Sequence, residues 1–197
     1  MAHRTEFIQG LELIVEAVEE MARQGHSRPV LVGGAAVEFW TGSAVMSGDF
    51  DMITERQQLF ETILQSKGFM RPQGVGALLR GLHHPKLGVG VEVVSGPLFD
   101  GLVPEDRLVM VAFHSGSLLV VGVEDSIADR MGQYASHEAS NGAMLEQAIQ
   151  LLRLASAVDE AYLDKRIQEE TAGCYGLGFL KQKLGDYENA YLRPGRG

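Results

Sequence analysis

One cysteine in 197 residues, Cys174, leaves no internal disulfide to form. With no charged-then-apolar leader at the start of the sequence, a reducing, cytoplasmic location is expected. Long apolar runs are missing as well, because Gly, Ser or a charge interrupts each one before the ~20 residues that a membrane-spanning helix needs. No membrane association is expected. Basic residues are outnumbered, 17 Lys and Arg against 26 Asp and Glu, for a formal net charge of -9. Coating a polyanion requires a basic surface that releases counterions, so a general nucleic-acid coat is excluded while a local basic site is not. There is no Gly-x-x-x-x-Gly-Lys run, and His137-Glu138 lacks the second histidine of a zinc-protease helix, which excludes a P-loop enzyme and a zincin. Cys174 lies among Gly173, Gly176 and Gly178 with no neighbour that would activate it as a nucleophile.

What is present suffices for one good core, or for a catalytic core with a helical appendage. Over residues 4–23 the apolar side chains Phe7, Ile8, Leu11, Ile14, Ala17, Val18 and Met21 recur at helical spacing, with Glu16, Glu19 and Glu20 for the wet side. The turn Ser27-Arg28-Pro29 ends that helix. Val30–Val32 reads as a buried strand, residues 35–40 as a short helix closed by Gly42, residues 50–53 as a second strand and residues 56–67 as a helix ended by Gly68. A short strand is expected over residues 78–82, a turn at His84-Pro85, and a strand over Val89–Val94 that alternates around Glu92. Residues 108–113 and 118–123 read as a hairpin across His114-Ser115-Gly116-Ser117. Helical spacing then takes over in residues 125–136, 143–158 and 160–171. The expected organisation is an α+β core over residues 1–123, a helical region packed on it over residues 124–192, and a frayed tail at 193–197.

Three features of the core carry chemistry. Gly33 and Gly34 follow an apolar strand and precede a short helix, which lets backbone N–H groups and a helix N-terminus approach a phosphate. Asp49 and Asp51 flank Phe50, so on a strand both carboxylates point to one face while the phenylalanine points to the core. Glu92 stands between Val91 and Val93, where an acid is costly to desolvate unless it is paired or coordinates a cation. Asp49, Asp51 and Glu92 explain one another if they share Mg²⁺. Between these strands, residues 62–91 contain no Asp or Glu but hold Lys67, Arg71, Arg80, His83, His84 and Lys86. Adjacent histidines on an extended segment face opposite ways, so His83 and His84 read as surface or acceptor-side groups and not as a metal pair.

The order Val32-Gly33-Gly34, Asp49-Phe50-Asp51-Met52 and Val91-Glu92-Val93 resembles the nucleotidyltransferases of the DNA polymerase β superfamily, and within them the small stand-alone prokaryotic members. The Gly-Gly form, the Ser47-Gly48 lead-in and the stretch Glu124-Asp125-Ser126-Ile127-Ala128-Asp129-Arg130 resemble the branch that includes nucleotidyltransferase toxins of toxin-antitoxin pairs. That resemblance implies a mixed sheet with flanking helices followed by a C-terminal helical bundle. It also implies catalytic and metal-binding roles for Asp49, Asp51 and Glu92 with two Mg²⁺ ions, Mn²⁺ being an alternative. NTP would be the substrate, bound by Gly33, Gly34, Ser47, Arg80, Lys86 and Arg130; where that branch often has Lys, this sequence has Arg130, which reads equally as a salt-bridge partner of Glu124, Asp125 or Asp129. The implied reaction moves a nucleoside monophosphate to a hydroxyl on tRNA, protein or a small molecule with release of pyrophosphate, and a cognate antitoxin is an implied partner. The alternative is a non-catalytic nucleotide-binding or interaction module that keeps the fold.

Overall fold

The computed structural model describes residues 3–72, 81–94, 101–136 and 142–191. The chain divides into two compact units, Met1–Gly122 and Val123–Gly197.

In the first unit, strands β1 (Val30–Val32), β2 (Asp49–Ile53), β3 (Leu82–His84), β4 (Val89–Val94), β5 (Val109–Phe113) and β6 (Gly116–Val120) form one six-stranded mixed sheet in the order β3-β4-β2-β1-β6-β5. β2 runs parallel to β4 and β1 parallel to β6, while the β1–β2, β3–β4 and β5–β6 pairs are antiparallel. Three helices accompany them: α1 (Thr5–Arg23), α2 (Gly33–Trp40) and α3 (Gln57–Ser66). α1 buries Phe7, Leu11, Ile14, Val15, Val18 and Met21, the stripe that its spacing dictates. The Phe7 ring stacks on Phe50 of β2 at 5.2 Å between centroids. A Cβ at Gly10 would come within 2.8 Å of the Phe50 ring, so the bare backbone there lets α1 settle onto the sheet. Full burial of each such side chain contributes about 1.5–3 kcal/mol.

The strands sort their side chains between two faces. Phe50 and Met52 of β2 and Val91 and Val93 of β4 are buried in the core, whereas Asp49 is exposed and Asp51 and Glu92 are half-buried on the other side. Several boundaries differ from the sequence expectation. α2 begins at Gly33 and not at residue 35, because Gly33 itself makes the turn out of β1 with φ +64°. The hairpin is tighter than expected: β6 starts at Gly116, ends at Val120, and helix follows from Val123. Of the strand expected over residues 78–82, Leu82 is the first residue of β3, and residues 78–80 lie outside the described residues.

The second unit consists of α4 (Val123–Ser136), α5 (Gly142–Leu154), α6 (Glu160–Glu170) and α7 (Leu177–Tyr191). α4 packs against α5 and α6, and α7 against the same two helices. Asp159 caps α6, its carboxylate accepting the Tyr162 N–H at 3.1 Å. α7 has no counterpart among the helices expected from spacing, since Gly178 and Gly185 interrupt its pattern. The expected tail at residues 193–197 lies outside the described residues.

Candidate active site

β2 and β4 are interior strands of the sheet, and their register sets Asp51 directly opposite Glu92 and Asp49 opposite Gly90. Parallel neighbours lie about 4.8 Å apart and alternate residues share a face, so the three acids occupy one patch on the face away from Phe50 and Val91. β4 lies between β3 and β2, and the β3 ladder, which pairs with Val89, Gly90 and Val91, stops one residue short of Glu92.

Two glycines make room for the carboxylates. A Cβ at Gly33 would overlap the Asp51 carboxylate, and one at Gly90 would overlap that of Asp49. Gly33 is doubly constrained, since its φ of +64° is one that side-chain-bearing residues rarely adopt. The next residue, Gly34, donates its N–H to Asp51 Oδ2 at 3.3 Å, so the first turn of α2 opens directly beside the acids.

The carboxylate oxygens do not converge on one point. Among the described residues no group of three or more His, Cys, Asp or Glu side chains gathers as a metal cage. Asp51 Oδ2 accepts the Gly34 N–H, and the Asp49 carboxylate lies over Gly90. The donor chemistry nevertheless suits a hard divalent cation: three carboxylates, on one face, with space kept open by glycine. Asp49 is exposed and Glu92 half-buried, so side-chain rotation can bring them together without moving the strands.

The loop that delivers Asp49 is held by a buried acid that spacing did not mark. Glu38 of α2 is 0% exposed. Its Oε1 accepts Arg4 Nε at 2.7 Å and Ser43 Oγ at 2.8 Å, and its Oε2 accepts Arg4 Nη2 at 2.9 Å and the Ser47 N–H at 2.5 Å. Burial would push this carboxyl up, but the Arg4 guanidinium, the Ser47 N–H and the Ser43 hydroxyl more than offset it and hold it below the usual carboxylate range. Ser47 Oγ in turn donates to the Asp49 carbonyl at 2.9 Å and lies 2.8 Å from where a Cβ on Gly34 would stand.

No protein-family model and no curated protein sequence matches the chain. Among solved structures, the chain is similar to an antigenic nucleotidyltransferase-like protein from Paracoccidioides brasiliensis, with TM-score 0.58 and 13% identity over 96% of this chain and 94% of that one. The chain has a nucleotidyltransferase fold. A looser similarity, at TM-score 0.49 and 11% identity over 94% of this chain and 98% of that one, is to the antibiotic-resistance factor ANT(2'')-Ia.

On this nucleotidyltransferase fold the remaining expected site residues fall in different places. Lys86 is exposed in the β3–β4 turn, which the register sets at the Asp49 end of β2. Arg80 lies outside the described residues. Arg130 belongs to the helical unit, where it is buried and its Nη2 donates to Asp129 Oδ2 at 2.5 Å and its Nη1 to Gln147 Oε1 at 3.4 Å. The acid-free window is less cationic than it reads. Lys67 pairs with Glu16 at 2.8 Å and Arg71 with Glu61, both at helices α1 and α3. His84 turns to the core side, edge-on to Phe69 at 5.2 Å, while the cross-strand row His83–Gly90–Asp49 keeps His83 on the acidic face. No helix among the described residues is long and apolar enough to cross a membrane.

Proposed function

We propose that the protein is a Mg²⁺-dependent nucleotidyltransferase that moves a nucleoside monophosphate from an NTP to a hydroxyl acceptor and releases pyrophosphate. The observation that carries this reading is the register of β2 and β4: Asp51 faces Glu92, Asp49 shares their side of the sheet, and the glycine turn into α2 opens against Asp51. Mg²⁺ held by Asp49, Asp51 and Glu92 would neutralise triphosphate charge and acidify the acceptor hydroxyl. The chain's own groups orient the substrate. Backbone N–H groups at the start of α2 would donate to phosphate oxygens, the Gly34 N–H passing to phosphate once the Asp51 carboxylate that now accepts it turns to a metal. The Ser47 hydroxyl stands beside them, and Lys86 supplies a positive charge from the turn. Arg80 is a further phosphate or acceptor contact on this reading, and Arg130 serves mainly its pair with Asp129. The resemblance to the toxin-like branch supports tRNA as acceptor with an antitoxin as partner, whereas the net charge of -9 supports a protein or small molecule.

The lack of convergence among the three acids favours a second reading, a nucleotide-binding module without turnover. One experiment separates the two. The protein is incubated with Mg²⁺ and each of the four NTPs labelled at the α-phosphate, together with total tRNA, cell protein or a small-molecule extract. Label in one acceptor fraction with pyrophosphate release, reduced at least about a hundredfold in Asp49→Asn/Asp51→Asn, is the expected result. Equal labelling by wild type and variant would sink the proposal. Nucleotide binding without pyrophosphate release would favour the module.

A further inference from the structure

We infer that Arg4 and Glu38 are positioning residues of the nucleotide site and act through Ser47, an inference that rests on the nucleotidyl-transfer reading above. Ser47 is gripped at both sides: Glu38 Oε2 accepts its N–H at 2.5 Å, and its carbonyl accepts Arg4 Nη2 at 2.8 Å. From that fixed position its hydroxyl reaches the Asp49 carbonyl at 2.9 Å and abuts Gly34. The clamp therefore sets the separation between the glycine turn, where phosphate is expected, and the first of the three acids. Arg4 comes from the start of α1, Glu38 from α2 and Ser47 from the loop before β2, so the clamp joins elements that no local signal connects.

Physical chemistry explains why such a clamp calls for more than fold stability. A buried ion pair is often no more stabilising than apolar residues of the same volume, because desolvation consumes most of the Coulomb gain. Here the Glu38 carboxylate accepts four hydrogen bonds, two from Arg4 and two from residues 43 and 47. Two of the four are spent on the loop, which also contains Ser43 at φ +61°, outside the comfortable range of a side-chain-bearing residue. A charged group that fills its acceptor capacity on a loop beside a reactive site fixes geometry, much as outer-sphere partners orient metal ligands.

The test is a double-mutant cycle read by equilibrium binding. The α,β-methylene analogues of ATP, GTP, CTP and UTP are titrated with Mg²⁺ into wild type, Glu38→Gln, Ser47→Ala and the double variant, with thermal unfolding recorded for each. The expected result is that Glu38→Gln, which keeps volume, weakens binding about 10- to 100-fold, and that the double variant is no weaker than the weaker single variant. Arg4→Lys, at a position 30% exposed, keeps the charge and loses the fork, and is expected to weaken binding in the same direction even if Glu38→Gln does not fold. Losses that simply add, or wild-type affinity in a folded Glu38→Gln or Arg4→Lys, overturn the inference alone. Wild type that binds none of the four analogues overturns the nucleotide reading, and this inference with it.

Discussion

In the helical unit, Asp125 is 1% exposed and surrounded by partners: Arg166 Nε donates to it at 2.7 Å and the Tyr162 hydroxyl at 3.0 Å. Arg166, itself wholly buried, also donates to Glu169 at 2.9 Å and Glu170 at 2.6 Å. On the sheet, by contrast, Asp49, Asp51 and Glu92 share one face, and among the described residues no Lys, Arg or His forms an ion pair with Asp49 or Glu92. Burial pushes the Asp125 carboxyl above its usual range even with Arg166 and Tyr162 beside it. The fold supplies its own cation where an acid serves packing. Where acids are lined up at a glycine-made opening, the proposed function assigns their compensation to a bound cation, with the Gly34 N–H already donating to Asp51.

Breaking the first half of this comparison should give the largest effect. Arg166→Ala leaves Asp125 buried without its cation and should cost about 3–5 kcal/mol of stability by urea unfolding. A cost below about 1 kcal/mol would mean that the helical unit rearranges to hydrate Asp125, and the contrast with the sheet acids would lose its basis.

The second half is sharpened by adding a cation. Mg²⁺ or Mn²⁺ at a hundredfold excess over its Kd should stabilise wild type by about 2.7 kcal/mol, read as a rise in Tm. Glu92→Gln should lose most of that gain while changing metal-free stability by less than about 0.5 kcal/mol. An equal rise in both proteins would place the cation elsewhere.

Much of this was legible in the residues. Apolar runs and turn residues locate β1, β4 and α1 because burial on one or both faces leaves a periodic trace, and Asp49-Phe50-Asp51 shows its two faces directly. Two things were not. α7 carries glycines at 178 and 185, so its helical state rests on packing against α5 and α6 more than on propensity. The Arg4–Glu38 clamp spans 34 residues, and no spacing rule joins its ends. A partial signal existed: Glu38 is an acid within the apolar run Ala35-Ala36-Val37-Glu38-Phe39-Trp40, the same anomaly that marks Glu92. That signal says an acid has a partner without saying which one, and only the fold distinguishes a partner inside the chain from one outside it.

Glu19 lies between these extremes and sets the smallest test. Its side chain and that of Arg28 are each 26% exposed, and their closest atoms are 2.7 Å apart. The Arg28 guanidinium, then the Ser117 N–H, holds its carboxyl at about 2 against an ordinary 4.5. A depressed carboxylate contributes stability that is complete above the unfolded value of 4.5 and disappears as pH falls toward 2. Because water and salt screen a pair this exposed, the contribution should stay under about 1 kcal/mol. Wild type should therefore lose slightly more stability than Arg28→Met between about pH 6 and about pH 3, and the gap should narrow in high salt. Parallel acid curves at low salt would show that Glu19 is not held by Arg28, so that a cation supplied by the chain matters only where burial makes its absence expensive.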